Sequence, residues 1–276
     1  MTFSATWFLL EQEGLLAQSC LCNGLTALRR ASLGDKKGLF YSAFFELSTG
    51  FERMLKLVLI LDYMGRHRLV PPCSKTVEGY GHKLLKLFDN TKAICSSRGV
   101  GVLDAFQPNS LAIVILRFLD DFAHPGGRYS NINKLTGHKL QLMADPIVKW
   151  GEIVNCIMRE QAKPAQHARA ELNGQLANAA FGDVAFSLMS DLNQQPLAVA
   201  SLHVRASELN TAAKYAIYEL VTLIAALCKV IDTLCHSARI ANPHGKSGMV
   251  DVPDMNEFFQ FACLEKKHVM RKRQWP

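Results

Sequence analysis

The chain has 276 residues, 49% of them hydrophobic, with a formal charge of +7 and a pI of about 9.0. That length can bury a sizeable core, and that apolar content excludes disorder as the default state. The excess of Lys and Arg suits a polyanionic partner such as RNA, DNA or a membrane surface, and it is also common among proteins with none.

The opening run, MTFSATWFLLEQEG, has no basic start and meets Glu11 and Glu13 after a short apolar stretch. It does not read as a signal peptide. Apolar runs such as Leu57 to Leu61 and Leu111 to Leu116 are too short to cross a bilayer. The expectation is a cytoplasmic protein with no membrane partner.

A first helix is predicted from about Ser4 to Arg30, capped by Thr2 or Ser4, with Gly14 and Gly24 weakening its continuity. After the polar turn Ala31 to Gly38, a second helix is the clearest element. From Phe40 to Tyr63, residues Phe44, Leu47, Phe51, Leu55, Val58 and Leu61 recur at three- and four-residue steps. Glu52 and Lys56 form an i,i+4 pair on another face, and Glu46 and Arg53 share a side as a buried or interfacial ion pair. Gly65 and Pro71-Pro72 end the segment.

A third helix is predicted from Val77 to Cys95. A fourth follows Pro108, capped by Asn109 or Ser110, and runs to Ala123. It is apolar nearly all round over its first two turns, which places it centrally in a bundle. Asp145-Pro146 opens another helix with the stripe Ile147, Trp150, Val154 and Ile157. From Lys163 to Ala200 the pattern weakens, and short helices with a mobile surface loop are expected. A long helix from Ser207 to Arg239 carries a seam of Ile217, Val221, Ile224, Cys228, Ile231 and Cys235. A loop from Ala241 to Gly248 leads to a last helix near Pro253, bearing Phe258, Phe259 and Phe261, and to a basic tail with Lys266, Lys267, Arg271, Lys272 and Arg273. No hairpin signal and no internal repeat is present. The fold class is therefore all-α.

The cysteines do not form a metal site by spacing. Cys20 and Cys22 are too close for a zinc knuckle, and Cys228 and Cys235 lie on an apolar seam. HGKS, His244 to Ser247, lacks the first glycine of a phosphate loop, because Ile240 stands there. No metal and no cofactor is expected.

The stretch richest in usable polar groups is RFLDDFAHPGGRYSNINKLTG, Arg117 to Gly137. Arg117 and His124 are a seven-residue step apart, so a continuous helix puts both on one face. Asp121, four residues after Arg117, can hold the guanidinium. An Arg and a His so placed can cleave RNA without metal. The imidazole assists attack by the ribose 2′-OH or protonates the leaving oxygen, and the guanidinium stabilises the phosphorane. The plainer reading pairs Arg117 with Asp120 or Asp121 and leaves His124 as a residue favoured at a helix C-terminus. In the loop after Pro125, Arg128, Tyr129 and Asn131 can bind a phosphate, a base face and a base edge. The same three can instead lock a turn. His82 reads as a helix-start or packing residue, and the C-terminal basic run as a sequence-independent nucleic-acid contact or a solvated face.

The Arg-x6-His near the end of an apolar helix, with GYGHKLLKLF (Gly79 to Phe88) and FERMLKLVLILDY (Phe51 to Tyr63), resembles HEPN domains, over about residues 38 to 160. These are all-α proteins frequent in bacterial toxin–antitoxin and antiphage systems. The string from Arg128-Tyr129-Ser130-Asn131 to the closing EFFQF and KRQW is similar to bacterial proteins carried on mobile, integron-type gene cassettes. The resemblance implies a HEPN-like four-helix core with additional N- and C-terminal helices. Residues 1–160 would be the first helix plus the bundle, and residues 161–276 a helical portion set against it. It also implies a ribonuclease pair, Arg117 and His124, completed across a homodimer, with RNA as substrate and an antitoxin or other protein as a further partner. Two functions follow: an RNA-directed defence or toxin-type module acting as a metal-independent ribonuclease, or a non-catalytic dimeric helical module recognising a partner protein or small ligand.

Overall fold

A computed structural model describes residues 2–34, 38–137, 145–182, 184–185, 187–241 and 249–276. Among these the fold is all-α. The helices are α1 (Ala5–Arg30), α2 (Gly38–Arg66), α3 (Ser74–Tyr80), α4 (Leu84–Ser97), α5 (Leu111–Ala123), α6 (Pro125–Arg128), α7 (Ser130–Leu135), α8 (Pro146–Gln161), α9 (Pro164–Phe181), α10 (Val199–Ala241) and α11 (Lys266–Arg271). The only β pairing among the described residues is two isolated bridges, Phe3 with Val250 and Ser190 with Pro196. No described helix is long and apolar enough to cross a membrane.

α1 begins where Ser4 accepts a hydrogen bond from the Trp7 amide at 3.2 Å, and it runs unbroken through both glycines. Those glycines have a packing role. A Cβ on Gly24 would lie 2.7 Å from Leu47 Cγ and 2.9 Å from the Leu47 amide nitrogen. A Cβ on Gly50 would meet Leu21 in the same way, at 2.7 Å from Cγ and 3.0 Å from the amide nitrogen. α1 and α2 thus cross with each helix offering a glycine to a leucine of the other. Ala favours helices over Gly by about 1 kcal/mol, but a backbone nitrogen cannot swing aside as a side-chain tip can. Gly24→Ala is therefore expected to lower stability by about 1–3 kcal/mol, read as a lower midpoint in thermal or denaturant unfolding. An unchanged or higher midpoint would show that the two helices separate without cost.

α2 is central. Phe44, Leu47, Phe51, Leu55, Val58 and Leu61 are all buried, as their spacing predicts. α10, 43 residues and roughly 65 Å long at the helical rise, packs on α1, α2, α5, α8 and α9. Its seam from Ile217 to Cys235 is buried. One apolar core joins residues from Leu10 to Trp275.

Several elements differ from the sequence expectation. The predicted third helix is two. Gly81, at φ +73°, turns the chain between α3 and α4, and Asp120 of α5 accepts the Leu84 amide at 2.7 Å to cap α4. The segment after Lys163 holds α9, a full helix of 18 residues, in place of short helices. Its buried residues are Ala170, Gly174 and Ala177, at steps of four and three, against α10. Small residues leave little hydrophobic signal, yet they let two helices approach closely. The expected helix carrying Phe258, Phe259 and Phe261 is a 3-10 segment, Met255–Ala262, followed by α11. Arg53 pairs with Glu13 of α1 at 2.6 Å and not with Glu46, because α1 covers that face of α2. Residues 242–248 of the predicted loop, including HGKS, lie outside the described residues.

Candidate functional site

α5 positions the candidate pair. Its apolar residues Ile113, Ile115, Leu116, Phe118, Leu119 and Phe122 are buried. Phe118 and Phe122 meet Phe44 of α2, with ring centroids 4.7 and 5.5 Å away, and Trp150 of α8 closes the cluster at 5.4 Å from Phe44 and 5.5 Å from Phe118. The opposite stripe faces solvent, and Arg117, Asp121 and His124 follow one another along it, with Arg117 and His124 exposed.

The helix ends at Ala123, so Arg117 and His124 are not on one continuous helix. His124 is the C-cap, with φ −64° and ψ 142°. The extended ψ follows from Pro125, which disfavours helical geometry in the residue before it. The direction of a Cα–Cβ bond depends on φ, however, and φ here is helical. The His124 side chain therefore still leaves from the Arg117 face, roughly 10 Å farther along the axis.

The expected contact of Asp121 with Arg117 does not form. Asp121 takes Lys149 of α8 at 3.1 Å, and Asp120 caps α4. Each acid is drawn to a neighbouring helix, and Arg117 has no ion-pair partner among the described residues. A guanidinium whose nearest acids are engaged elsewhere presents its full charge to an external anion. Lys149 escaped the sequence reading because no local spacing links it to α5. Only the approach of α8 does.

The stretch after His124 was expected as a loop and is helical. Pro125, with its fixed φ and missing N–H, suits the first position of a new helix. His124 carbonyl accepts the Gly127 and Arg128 amides at 2.9 and 3.3 Å, so α6 begins at once and α7 follows. Two of the three predicted contact residues then reach α2. The Arg128 guanidinium lies over the Phe45 ring of α2, 4.9 Å from its centroid, with Nε buried and unpartnered among the described residues. Asn131 donates to the Tyr41 hydroxyl at 3.2 Å. Burial and the nearby Asp145 carboxylate push the Tyr41 hydroxyl up, so it stays protonated. Tyr129 points outward, 56% exposed. Arg128 and Asn131 thus tie α6 and α7 to α2, while Tyr129 and Asn131 remain exposed. Arg128→Ala is expected to lower stability by about 1 kcal/mol, the cation–π contribution at a partly desolvated site, with RNA affinity unchanged in a filter-binding assay. Weaker binding at an unchanged melting temperature would make Arg128 a contact instead.

Glu52 Oε1 accepts a hydrogen bond from His82 Nδ1 at 2.8 Å, and the imidazole is exposed at the turn into α4, so it does not pack in the core. Burial pushes the Cys22, Cys228 and Cys235 thiols up to about 12, so they are poor metal ligands and poor nucleophiles. Among the described residues no group of His, Cys, Asp and Glu has the arrangement of a metal site. Asp145 accepts the Ile147 amide at 2.9 Å, the predicted cap of α8.

No protein-family model, no curated protein and no solved structure matches this chain.

Proposed function

We propose that this chain is an RNA-directed module of defence or toxin type that cleaves RNA without metal, using Arg117 and His124. The observation that carries the reading is the exposed stripe of α5: both side chains leave from it, and the two acids beside Arg117 are bound to other helices. An RNA phosphate meeting this stripe would find an uncompensated guanidinium. His124 would take the proton of the ribose 2′-OH as its oxygen attacks the adjacent phosphorus. Arg117 would hold the charge of the phosphorane. The 5′ oxygen would leave with a proton from a protonated imidazole, giving a 2′,3′-cyclic phosphate and a 5′-OH. One His124 cannot be base and acid in the same step, so a second copy would supply the other. The net charge of +7 favours the approach of a polyanion.

A homodimer has support beside the stripe. Tyr129, Ile132 and Leu135, on the short helices that follow His124, are 56%, 57% and 87% exposed. A cluster of large apolar side chains in water is what a second copy would cover. The same cluster supports the other reading, a non-catalytic dimeric helical module that takes a protein partner, an antitoxin among them. Incubation with end-labelled total RNA in EDTA separates the two. Cleavage with cyclic phosphate ends is expected. Intact RNA under saturating protein would shift the assignment to the binding module.

A further inference from the structure

A second, separate cluster of cations stands at the C-terminal end of α1. The last turn of α1 carries Arg29 and Arg30, and the C-terminal segment passes over it. That segment is anchored by Trp275, whose amide donates to Thr26 Oγ1 at 2.9 Å and whose buried ring meets Phe261 at 6.0 Å. The anchor places Arg273 and Gln274 beside Arg29 and Arg30, around a cavity of about 520 Å³ that also takes in Ser32 and Asn210 of α10. Lys214 lies one helical turn beyond Asn210, and Arg169 of α9 stands near it.

These charges are mutually uncompensated. None of Arg29, Arg30, Arg169, Lys214 and Arg273 is in an ion pair with an acid among the described residues. Burial, and then the charges of Arg29, Arg169 and Arg273, push the Lys214 ammonium down. Burial and Arg273 do the same to Arg29. The carbonyl end of α1 supplies only about half a negative charge, too little to balance several cations. Arg29 is also preoriented: Nη1 donates to Asn210 Oδ1 at 2.5 Å, while its Nε is buried with no partner among the described residues. Partly desolvated cations held together without a counter-charge oppose folding, and an anion that bridges them removes that cost.

We propose that this cavity is a binding site for a compact, multiply charged phosphate, of the class of a di- or triphosphate chain. Its volume falls in the range of small-ligand pockets. Its lining contains no aromatic ring, so it has nothing on which a nucleic-acid base would stack. The phosphates are the recognised part. Arg29 and Arg273 supply fork donors from two sides, Arg30 the mouth, and Asn210 holds the first guanidinium in place.

Calorimetric titration of the full chain with inorganic triphosphate at low salt tests the site. The wild type should bind one equivalent. The double variant Arg30→Gln/Arg273→Gln removes two exposed charges and leaves the core intact. It should bind at least about tenfold more weakly, the loss expected when charge-assisted hydrogen bonds are removed. Arg117→Gln should bind as the wild type does. No binding by the wild type, equal binding by the double variant, or loss of binding in Arg117→Gln would each overturn the assignment. So would an RNA oligonucleotide that binds through Arg30 and Arg273 while triphosphate does not, since that would make the surface a backbone track. None of these outcomes depends on whether α5 cleaves RNA.

Discussion

Replacing His124 with alanine is expected to abolish metal-independent RNA cleavage, by a factor on the order of 10²–10⁴, the usual contribution of a positioned acid–base group. The fold should survive. His124 is exposed, and its extended ψ is imposed by Pro125 and not by the imidazole. α5 and α6 should therefore keep their ends, and the circular dichroism and melting temperature of the variant should match those of the wild type. Arg117→Ala should reduce cleavage by a similar order through loss of charge stabilisation. Mixing the two single variants adds a second readout. If base and acid are the His124 side chains of two copies, a mixed dimer keeps only one imidazole beside one intact Arg117, and cleavage should not return. Full cleavage by His124→Ala alone would remove the acid–base role from this residue and with it the nuclease reading of α5.

Trp150→Ala is expected to cost about 3–5 kcal/mol of stability, the range for deleting a large buried aromatic ring. Trp150 is 1% exposed and touches both Phe44 and Phe118. Its ring therefore joins α8 to α2 and α5 at once. For a chain of this size each kcal/mol corresponds to roughly 2–4 °C, so the melting temperature should fall by about 10 °C. Trp150→Phe should recover most of the loss. The substitution also bears on the site, because Lys149, the partner of Asp121, stands next to Trp150 on α8. If α8 loosens, Asp121 is released, and it can turn to Arg117 four residues away. Cleavage should then fall more than the folded fraction does. A drop in stability below about 1 kcal/mol would mean that the cluster collapses around the gap.

Ser4 and Asp145 cap helices as expected because capping is a contact between near neighbours, decided within three residues. The α2 stripe is buried as expected because a run of large apolar residues at helical spacing has one way to leave water. α9 was missed because Ala170, Gly174 and Ala177 carry almost no hydrophobic signal. Their role is steric, and it exists only once α10 lies against them. Arg128 to Asn131, expected as a loop, is helical for a reason of the same kind. Pro125 marks a break equally well whether the chain then coils or starts a new helix, and only the Phe45 and Tyr41 contacts on α2 decide between them.

The all-α class and the course of α2, α5 and α8 are legible in the residues alone. Each of these is a local property, settled by propensity and by periodic burial over a few turns. Which charges meet depends on how the helices pack against one another. That packing sent Arg53 to Glu13, Asp121 to Lys149 and Asp120 to the start of α4, and it gathered Arg29, Lys214 and Arg273 from three distant segments. Ion pairing depends on distances between helices that the local pattern does not specify. One lysine brought in by a neighbouring helix is enough to leave Arg117 facing water with its charge unspent.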